Sequence, residues 1–507
     1  MKKILYALSH RSVVVALAIL MQLAVFAIMI LAFSESFSQL YWIFILISFL
    51  AALAIVNSHS DSDYKIIWLV LTLPFPVLGG MLYLVLGGSS HPGWLRRAMD
   101  KVNQQMRNVL KEDFRHGDVF VSDEHVLGQV RYLEERACCP AYLNSTAEYF
   151  SCGESYYERM LEQLAAAKRY IFLEYFIVQP GTMWDSILQI LEDKASQGVD
   201  VRVMYDDMGC LFTLSKDYQQ QLSQRGIRCI AFNRIVPVAS LRLNNRDHRK
   251  LCIIDGKLAF TGGVNLADEY INAKVRFGHW KDSGIMVTGG AAWSMAVMFL
   301  TLWDHAAKEE SDYGALRPGP CSNLVGQGII QPYTDSPLDT EAVGHTVYLN
   351  LINRAKRYIY ITTPYLILDT AIRTALCNAA KSGVDVRIIT PHIPDKKSVF
   401  MMTRAFYEPL LEAGVKIYEY TPGFIHAKNF VADDRFATVG TVNLDYRSLF
   451  LHFENGVLLY QTPCIKDIKA DFIATQRRSQ PVQRSGRKMN VFVRLYRSIL
   501  RLFAPLM

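Results

Sequence analysis

Nine cysteines are spread along 507 residues without a Cys-x-x-Cys pair or a Cys/His cluster at zinc-ligand spacing. This excludes a fold built on zinc or on a disulfide framework and makes reduced, mostly buried thiols the expected state. The adjacent Cys138 and Cys139 are poorly placed to bridge each other. No glycine-rich loop of the nucleotide-binding kinds is present, nor a carboxylate set suited to a metal pair, so the chemistry is expected to need no cofactor and no metal. Charge is also sparse: 20% of residues are charged against 51% hydrophobic, which suits a membrane anchor joined to an ordinary globular part. The net charge of +7 fits anionic partners without choosing between lipid and nucleic acid.

The apolar residues are concentrated at the N-terminus. Ser12 to Phe33 carry no charge over about twenty positions, enough to cross a hydrocarbon core. Leu40 to Val56 form a second run, and Ile66 to Leu86 a third, interrupted by Pro74, Pro76, Gly79 and Gly80, residues that membrane helices tolerate. A cleaved signal peptide would fit Lys2, Lys3 and the first run but not the two that follow. Residues 1–90 therefore read as membrane-anchoring helices, transmembrane or re-entrant, and 91–121 as a basic, solvated linker helix. Lys2, Lys3 and Arg11 precede the first run, and the heavier cluster of Arg96, Arg97, Lys101, Arg107, Lys111 and Arg115 follows the third. This leans towards a multi-pass protein of the cell membrane with a cytoplasmic catalytic part. In residues 481–507, Val491, Leu495, Ile499 and Leu502 share one helical face while Arg494, Arg497 and Arg501 gather on another. Such a basic amphipathic helix either lies in an anionic headgroup layer or docks on the protein.

The strongest signal is a duplication. His248-Arg249-Lys250, four residues and Asp255 recur as His426-Ala427-Lys428, four residues and Asp433. Gly262 and Asn265 follow the first copy at the distances at which Gly440 and Asn443 follow the second. Two histidine-lysine-asparagine sets suggest a two-fold arrangement around one phosphate: one imidazole attacks, the other handles the proton, and two ammonium groups hold the oxygens. Alternation along a strand places His248 and Lys250 on one face and Leu251 and Ile253 on the other. Asp255-Gly256 and Asp433-Asp434 supply turns, so these aspartates either hold a loop or take part in the chemistry.

Further repeats surround the motif. Ala167 to Tyr175 match Ala355 to Tyr365, Gln197 to Met204 match Ser382 to Ile389, and Arg225 to Ile230 match Ala413 to Tyr418. The last two pairs each read as helix, glycine, β-branched strand. Two α/β units with largely buried sheets are predicted, over 122–310 and 311–480.

On the His248/Lys250/Asp255 and His426/Lys428/Asp433 sets the chain resembles the phospholipase D superfamily, and within it the bacterial cardiolipin synthases. The likeness covers nearly the whole chain. It includes Pro76 to Leu84, Trp280-Lys281-Asp282, Asn443 to Ser448, Phe453-Glu454-Asn455 and the terminal Ala504-Pro505-Leu506. Leu444 departs mildly from the methionine usual in the family.

The resemblance implies a pseudo-two-fold pair of phospholipase D-like α/β/α sandwich domains behind an N-terminal helical transmembrane region. It implies transfer of a phosphatidyl group from one phosphatidylglycerol to another with release of glycerol. By carry-over, His248 is the nucleophile forming a phosphohistidine and His426 the acid and base. Lys250, Lys428, Asn265 and Asn443 bind phosphate oxygens, Glu454 orients His248, and Asp282 orients His426. The partners implied are phosphatidylglycerol and membrane lipid. A hydrolytic phospholipase D and a phosphatidylserine synthase would use the same residues. A nuclease is disfavoured because no aromatic and basic track can be placed beside the site, and nucleic acid is not an expected partner.

Overall fold

The computed structural model describes residues 35–58, 62–75, 93–116, 124–234, 245–319, 326–484 and 491–504, together with Met21, Ala24, Gly79 and Tyr83. The chain divides into two compact units, one comprising residues 1–95, 235–244 and 495–507 and the other residues 96–234 and 245–494.

In the first unit, helices Glu35–Asn57 and Ser62–Thr72 meet through Ile55, Ile67 and Trp68, with Tyr64, Tyr83 and Leu502 packed around them. The Ser48 hydroxyl donates to the Thr72 carbonyl at 2.6 Å. Trp42, Leu46, Phe49, Leu50 and Leu53 of the longer helix face outward. Of the three apolar runs, the first lies outside the described residues except for Met21 and Ala24, and most of the third beyond Thr72 does too. Among the described residues no helix is long and apolar enough to cross a membrane. At the C-terminus a helix spans Val491–Leu502, with Leu495 and Ile499 exposed and Leu502 against the Trp68 cluster.

The second unit repeats one topology. Its first half contains β1 (Ser145–Phe150), β2 (Tyr170–Tyr175), β3 (Asp200–Asp206), β4 (Arg228–Phe232), β5 (Arg246–Asp247), β6 (Lys250–Ile254), β7 (Leu258–Gly262), β8 (His279–Lys281) and β9 (Gly284–Gly289). The second half contains β10 (Ile329–Asp335), β11 (Tyr358–Thr362), β12 (Asp385–Pro391), β13 (Lys416–Tyr420), β14 (Gly423–Ile425), β15 (Asn429–Ala432), β16 (Phe436–Gly440), β17 (His452–Tyr460) and β18 (Ser479–Pro481). The first sheet runs β1-β9-β7-β6-β2-β3-β4 and the second β10-β17-β16-β15-β11-β12-β13-β18, the same order with one strand added. In both, the three strands that alternate with helices are parallel (β2-β3-β4 and β11-β12-β13), and the motif strands β6 and β15 run antiparallel to them.

Local sequence explains the repeated elements. In helix Thr182–Ser196, Trp184, Ile187, Leu188 and Leu191 recur at helical spacing and are buried, giving it one apolar face for the sheet. The helix stops where Gly198 takes φ +86°, and its counterpart Thr370–Lys381 stops before Gly383 at φ +93°, a left-handed conformation that glycine adopts without steric cost. Helix Gly290–Ala307 is buried from Ala291 to Asp304 on every face and touches β6, β7, β9 and β10, so it is a core helix of the unit.

The stretch expected to be a solvated linker is instead partly built into this unit. Helix Gly93–Val109 buries Met99 and Met106, and Leu110 follows it into the interior. The Asn103 amide donates to Asp339, the Arg107 guanidinium to the Glu135 carbonyl, and Arg317 pairs with Asp113 at 2.9 Å. Met99 and Met106 leave solvent although the helix is otherwise basic and amide-rich. The described cysteines, Cys138, Cys139, Cys152, Cys210, Cys229, Cys252, Cys377 and Cys464, are all free.

The halves exchange short strands. β5, just before His248, pairs with the start of β17 (Arg246 with His452, Asp247 with Phe453), and β14, just before His426, pairs with β8 (Gly423 with His279, Ile425 with Lys281). Each histidine is thereby delivered against a strand of the opposite half.

Candidate active site

The exchange continues in hydrogen bonds. The His248 amide donates to the Phe453 carbonyl at 2.9 Å, and the His426 amide to the Lys281 carbonyl at 2.7 Å. One residue further along each partner strand stands a buried carboxylate. Glu454 meets His248 Nδ1 with both oxygens, at 2.9 and 3.0 Å, and Asp282 Oδ2 meets His426 Nδ1 at 2.8 Å. An ionised carboxylate can only accept, so each ring carries its proton on Nδ1 and presents the Nε2 lone pair away from its carboxylate. The carboxylates are fixed in turn: Thr441 donates its hydroxyl to Glu454, and the Ser283 amide donates to Asp282 at 2.9 Å.

The lysines lie beneath the rings. Lys250 Nζ donates to the His248 carbonyl at 2.7 Å, and Lys428 Nζ to the His426 carbonyl. Each ammonium has three protons, so two remain for a ligand's oxygens. Both lysines are fully buried, and burial pushes Lys250 down to about 8 and Lys428 down to about 7. Burial also takes His248 well below the ordinary imidazole range, with the charges of Lys250, Lys428 and His426 adding to the effect. His426 falls to about 4 from burial and Lys428, although Asp282 pulls the other way. Both rings are therefore neutral near pH 7, as a nucleophile must be. Asp282 remains below the usual carboxylate range because His426 and Lys428 outweigh its burial, whereas burial leaves Glu454 raised.

Asn265 and Asn443 are buried beside this centre in different states. The Asn265 carbonyl oxygen accepts from the Ile177 amide at 3.1 Å, and its Nδ2 donates to the Tyr270 hydroxyl at 2.7 Å. Asn443 Oδ1 is buried without a hydrogen-bond partner.

Asp255 and Asp433 require a correction to their place among the catalytic candidates. They lie at the far end of β6 and β15 from the histidines, and their carboxylates are occupied by backbone. Asp255 accepts from the amides of Lys168, Arg169 and Tyr170, and Asp433 from those of Lys356, Arg357 and Tyr358. Both are left-handed, at φ +53° and +56°, and each ties the motif turn to the start of the neighbouring strand. The geometry supports the loop-holding reading, because these carboxylates accept from backbone amides at the start of the neighbouring strand and stand away from the histidines.

Sequence reasoning passed over His452. Its ring lies 5.6 Å from that of His248, and its Nδ1 is 3.7 Å from Glu454 Oε1. Neither ring nitrogen has a hydrogen-bond partner. Alternation along β17 places residues 452 and 454 on one face, and that spacing was the available signal. Among the described residues, His248, His452 and Glu454 are the group that could hold a metal ion, with one ligand atom each lying within 4.8 Å of one another.

Comparison with known proteins gives the chain's relatives. Residues 160–275 and 348–475 match the family described as cardiolipin synthase, PLD-like domain, and residues 46–88 match the one described as phospholipase D-nuclease N-terminal. An uncharacterized protein of Streptococcus mutans is 44% identical over 90% of this chain and 99% of its own. The cardiolipin synthase of Alkalihalophilus pseudofirmus is 34% identical over 87% of this chain and 88% of its own. The crystal structure of phosphatidylserine synthase from Haemophilus influenzae superposes with a TM-score of 0.53 at 14% identity, covering 71% of this chain and 93% of that one, a likeness of fold. With a duplicated topology, paired His-x-Lys sets and this degree of identity along most of its length, the chain belongs to the cardiolipin synthase family of the phospholipase D superfamily.

Proposed function

We propose that the protein is a phosphatidyltransferase that makes cardiolipin and glycerol from two molecules of phosphatidylglycerol, through a phosphohistidine. The observation that carries this reading is the reciprocal pairing of His248 with Glu454 and of His426 with Asp282, each across the two halves.

His248 Nε2 attacks the phosphorus of the first lipid. The bond to the terminal glycerol oxygen breaks as His426, protonated once the phosphodiester anion has entered, delivers its proton there, and glycerol leaves. His426, neutral again, takes the proton from a hydroxyl of the second lipid's glycerol. That oxygen attacks the phosphohistidine, the phosphorus–nitrogen bond breaks, and His248 is regenerated. Lys250 and Lys428 hold the non-bridging oxygens with their free protons, joined by the amides of Asn265 and Asn443, where negative charge grows in the transition state. Assignment of His248 as nucleophile is supported by its two-oxygen contact with Glu454, which fixes the ring.

The apolar N-terminal runs are the membrane anchor in this reading, multi-pass with the catalytic body on the cytoplasmic side. The match of residues 46–88 and the outward-facing apolar side chains of helix Glu35–Asn57 support the anchor. Nucleic acid is not a partner.

Incubation of the purified protein with phosphatidylglycerol alone tests the reaction. Cardiolipin with equimolar glycerol is the expected result, phosphatidic acid would assign a hydrolase, and no lipid turnover would refute the proposal. Mapping the trapped phosphoenzyme to His426 would reverse the two histidine roles.

A further inference from the structure

We propose that His248, His452 and Glu454 form an inhibitory binding site for a divalent transition-metal ion of the zinc class. Their ligand atoms lie within 4.8 Å of one another, with His248 Nδ1 at 2.9 Å and His452 Nδ1 at 3.7 Å from Glu454 Oε1. Ligand atoms bound tetrahedrally to zinc at 2.0–2.1 Å stand about 3.3 Å apart, between those two distances, and two imidazoles with one glutamate form a known zinc donor set that keeps a fourth position open. The ion would take the place now held by the proton between His248 and Glu454.

Two further features point to a ligand here. His452 is half-buried, but both of its ring nitrogens are shielded from solvent and lack a hydrogen-bond partner, Nδ1 lying 3.7 Å from Glu454, and a shielded polar atom without a partner is uncommon in a native fold. Its neighbour Glu454 is fully buried and already held by Thr441, so the donor set is preorganised. The Lys250 ammonium nearby opposes any cation, which favours strongly nitrogen-bound metals over oxygen-seeking magnesium or calcium.

The inhibition follows from the tautomer. In the metal-free site the His248 proton sits on Nδ1, and the Nε2 lone pair is free. A metal ion on Nδ1 moves that proton to Nε2, so the ring stays neutral but loses the lone pair that would attack phosphorus. Binding depends only on the three side chains, whereas inhibition rests on the proposed role of His248 Nε2.

The test adds zinc chloride to the full-length, detergent-solubilised protein and reads binding by calorimetry, ligand identity by zinc-edge X-ray absorption, and turnover with phosphatidylglycerol. The expected result is a site with two imidazoles, carboxylate oxygen and no sulfur, with turnover lost on filling and restored by a chelator. His452→Ala should weaken zinc binding by about tenfold or more and raise by a similar factor the zinc concentration that halves the variant's own metal-free turnover. His452→Gln, closer in size and polarity, guards against misfolding of the alanine variant. Sulfur in the zinc shell, or inhibition of both variants at the wild-type zinc concentration, would overturn the site. Zinc held by these three ligands with turnover unchanged would overturn the inhibition and the role given to Nε2, but leave the site standing.

Discussion

The two halves share a topology but surround their histidines differently. His248 meets a glutamate through both oxygens, with a second imidazole, His452, and the edge of Phe176 beside it. His426 meets an aspartate through one oxygen and is enclosed by Tyr270, Trp280 and Phe424. The backbone of the duplication holds two rings in equivalent places, and the packing around each makes them chemically unequal. A symmetric pair would have two equally good nucleophiles, whereas packing alone can separate an attacking ring from a proton carrier.

Substitution of the rings tests this inequality most severely. His248→Ala and His426→Ala should each lower cardiolipin formation by about 10⁴-fold or more, close to the loss in the double variant, because groups acting as a unit are not additive. A tenth of wild-type turnover in His426→Ala would break the shared-site picture. Lys250→Ala and Lys428→Ala come next, at about 10³-fold, through loss of charge on the phosphate oxygens.

The carboxylates sharpen the comparison further. Glu454→Gln and Asp282→Asn should each cost about 10²-fold to 10³-fold but at different steps. With a substrate whose leaving group needs no proton, Asp282→Asn should form phosphohistidine at a near-normal rate and accumulate it, while Glu454→Gln should form it slowly. Rapid-quench labelling separates the two, and identical step profiles would mean the halves are interchangeable.

Smaller effects belong to the fold. Asp433→Asn should destabilise by about 1–2 kcal/mol by weakening the charged acceptor of one buried and two part-buried amides, and Asp255→Asn, whose partner amides are more exposed, by less, both leaving the turnover of the folded fraction unchanged. Thermal unfolding measured beside specific activity checks this. Lys428 is depressed to about 7 in the fold against an ordinary 10.5, so the unfolded chain binds more protons between those values and stability should rise with pH across that window. Lys428→Met should therefore raise Tm slightly at pH 7, flatten that rise and lower activity by about as much as Lys428→Ala. Differential scanning calorimetry from pH 7 to pH 10 reads the slope.

Much of this was legible in the chain because repeats are conspicuous when they carry reactive residues. The paired His-x-Lys sets, the glycines ending helices at Gly198 and Gly383, and the β-branched runs of β3 and β12 define two alternating α/β halves by spacing alone. The contacts of Glu454 and Asp282 cross between segments far apart in sequence, so only likeness to a family suggested them. Asp255 and Asp433 were ambiguous because a motif records that a residue is kept at a spacing and not what it touches. His452 stands one residue before the Phe453-Glu454-Asn455 stretch that carries the family likeness, so the likeness does not reach it. The helix Gly93–Val109 was misjudged because its few apolar residues are outnumbered by basic and amide side chains, although two buried methionines decide its packing.

The crossed pairing of β5 with β17 and of β14 with β8 has a consequence for the newborn chain. While the ribosome is still making the C-terminal half, His248 has no Glu454 to set its tautomer, and the first half is chemically unarmed. Competence for phosphoryl chemistry arrives only when the final strands have been threaded against the earlier ones. A truncated product is therefore an idle protein rather than a stray lipid hydrolase.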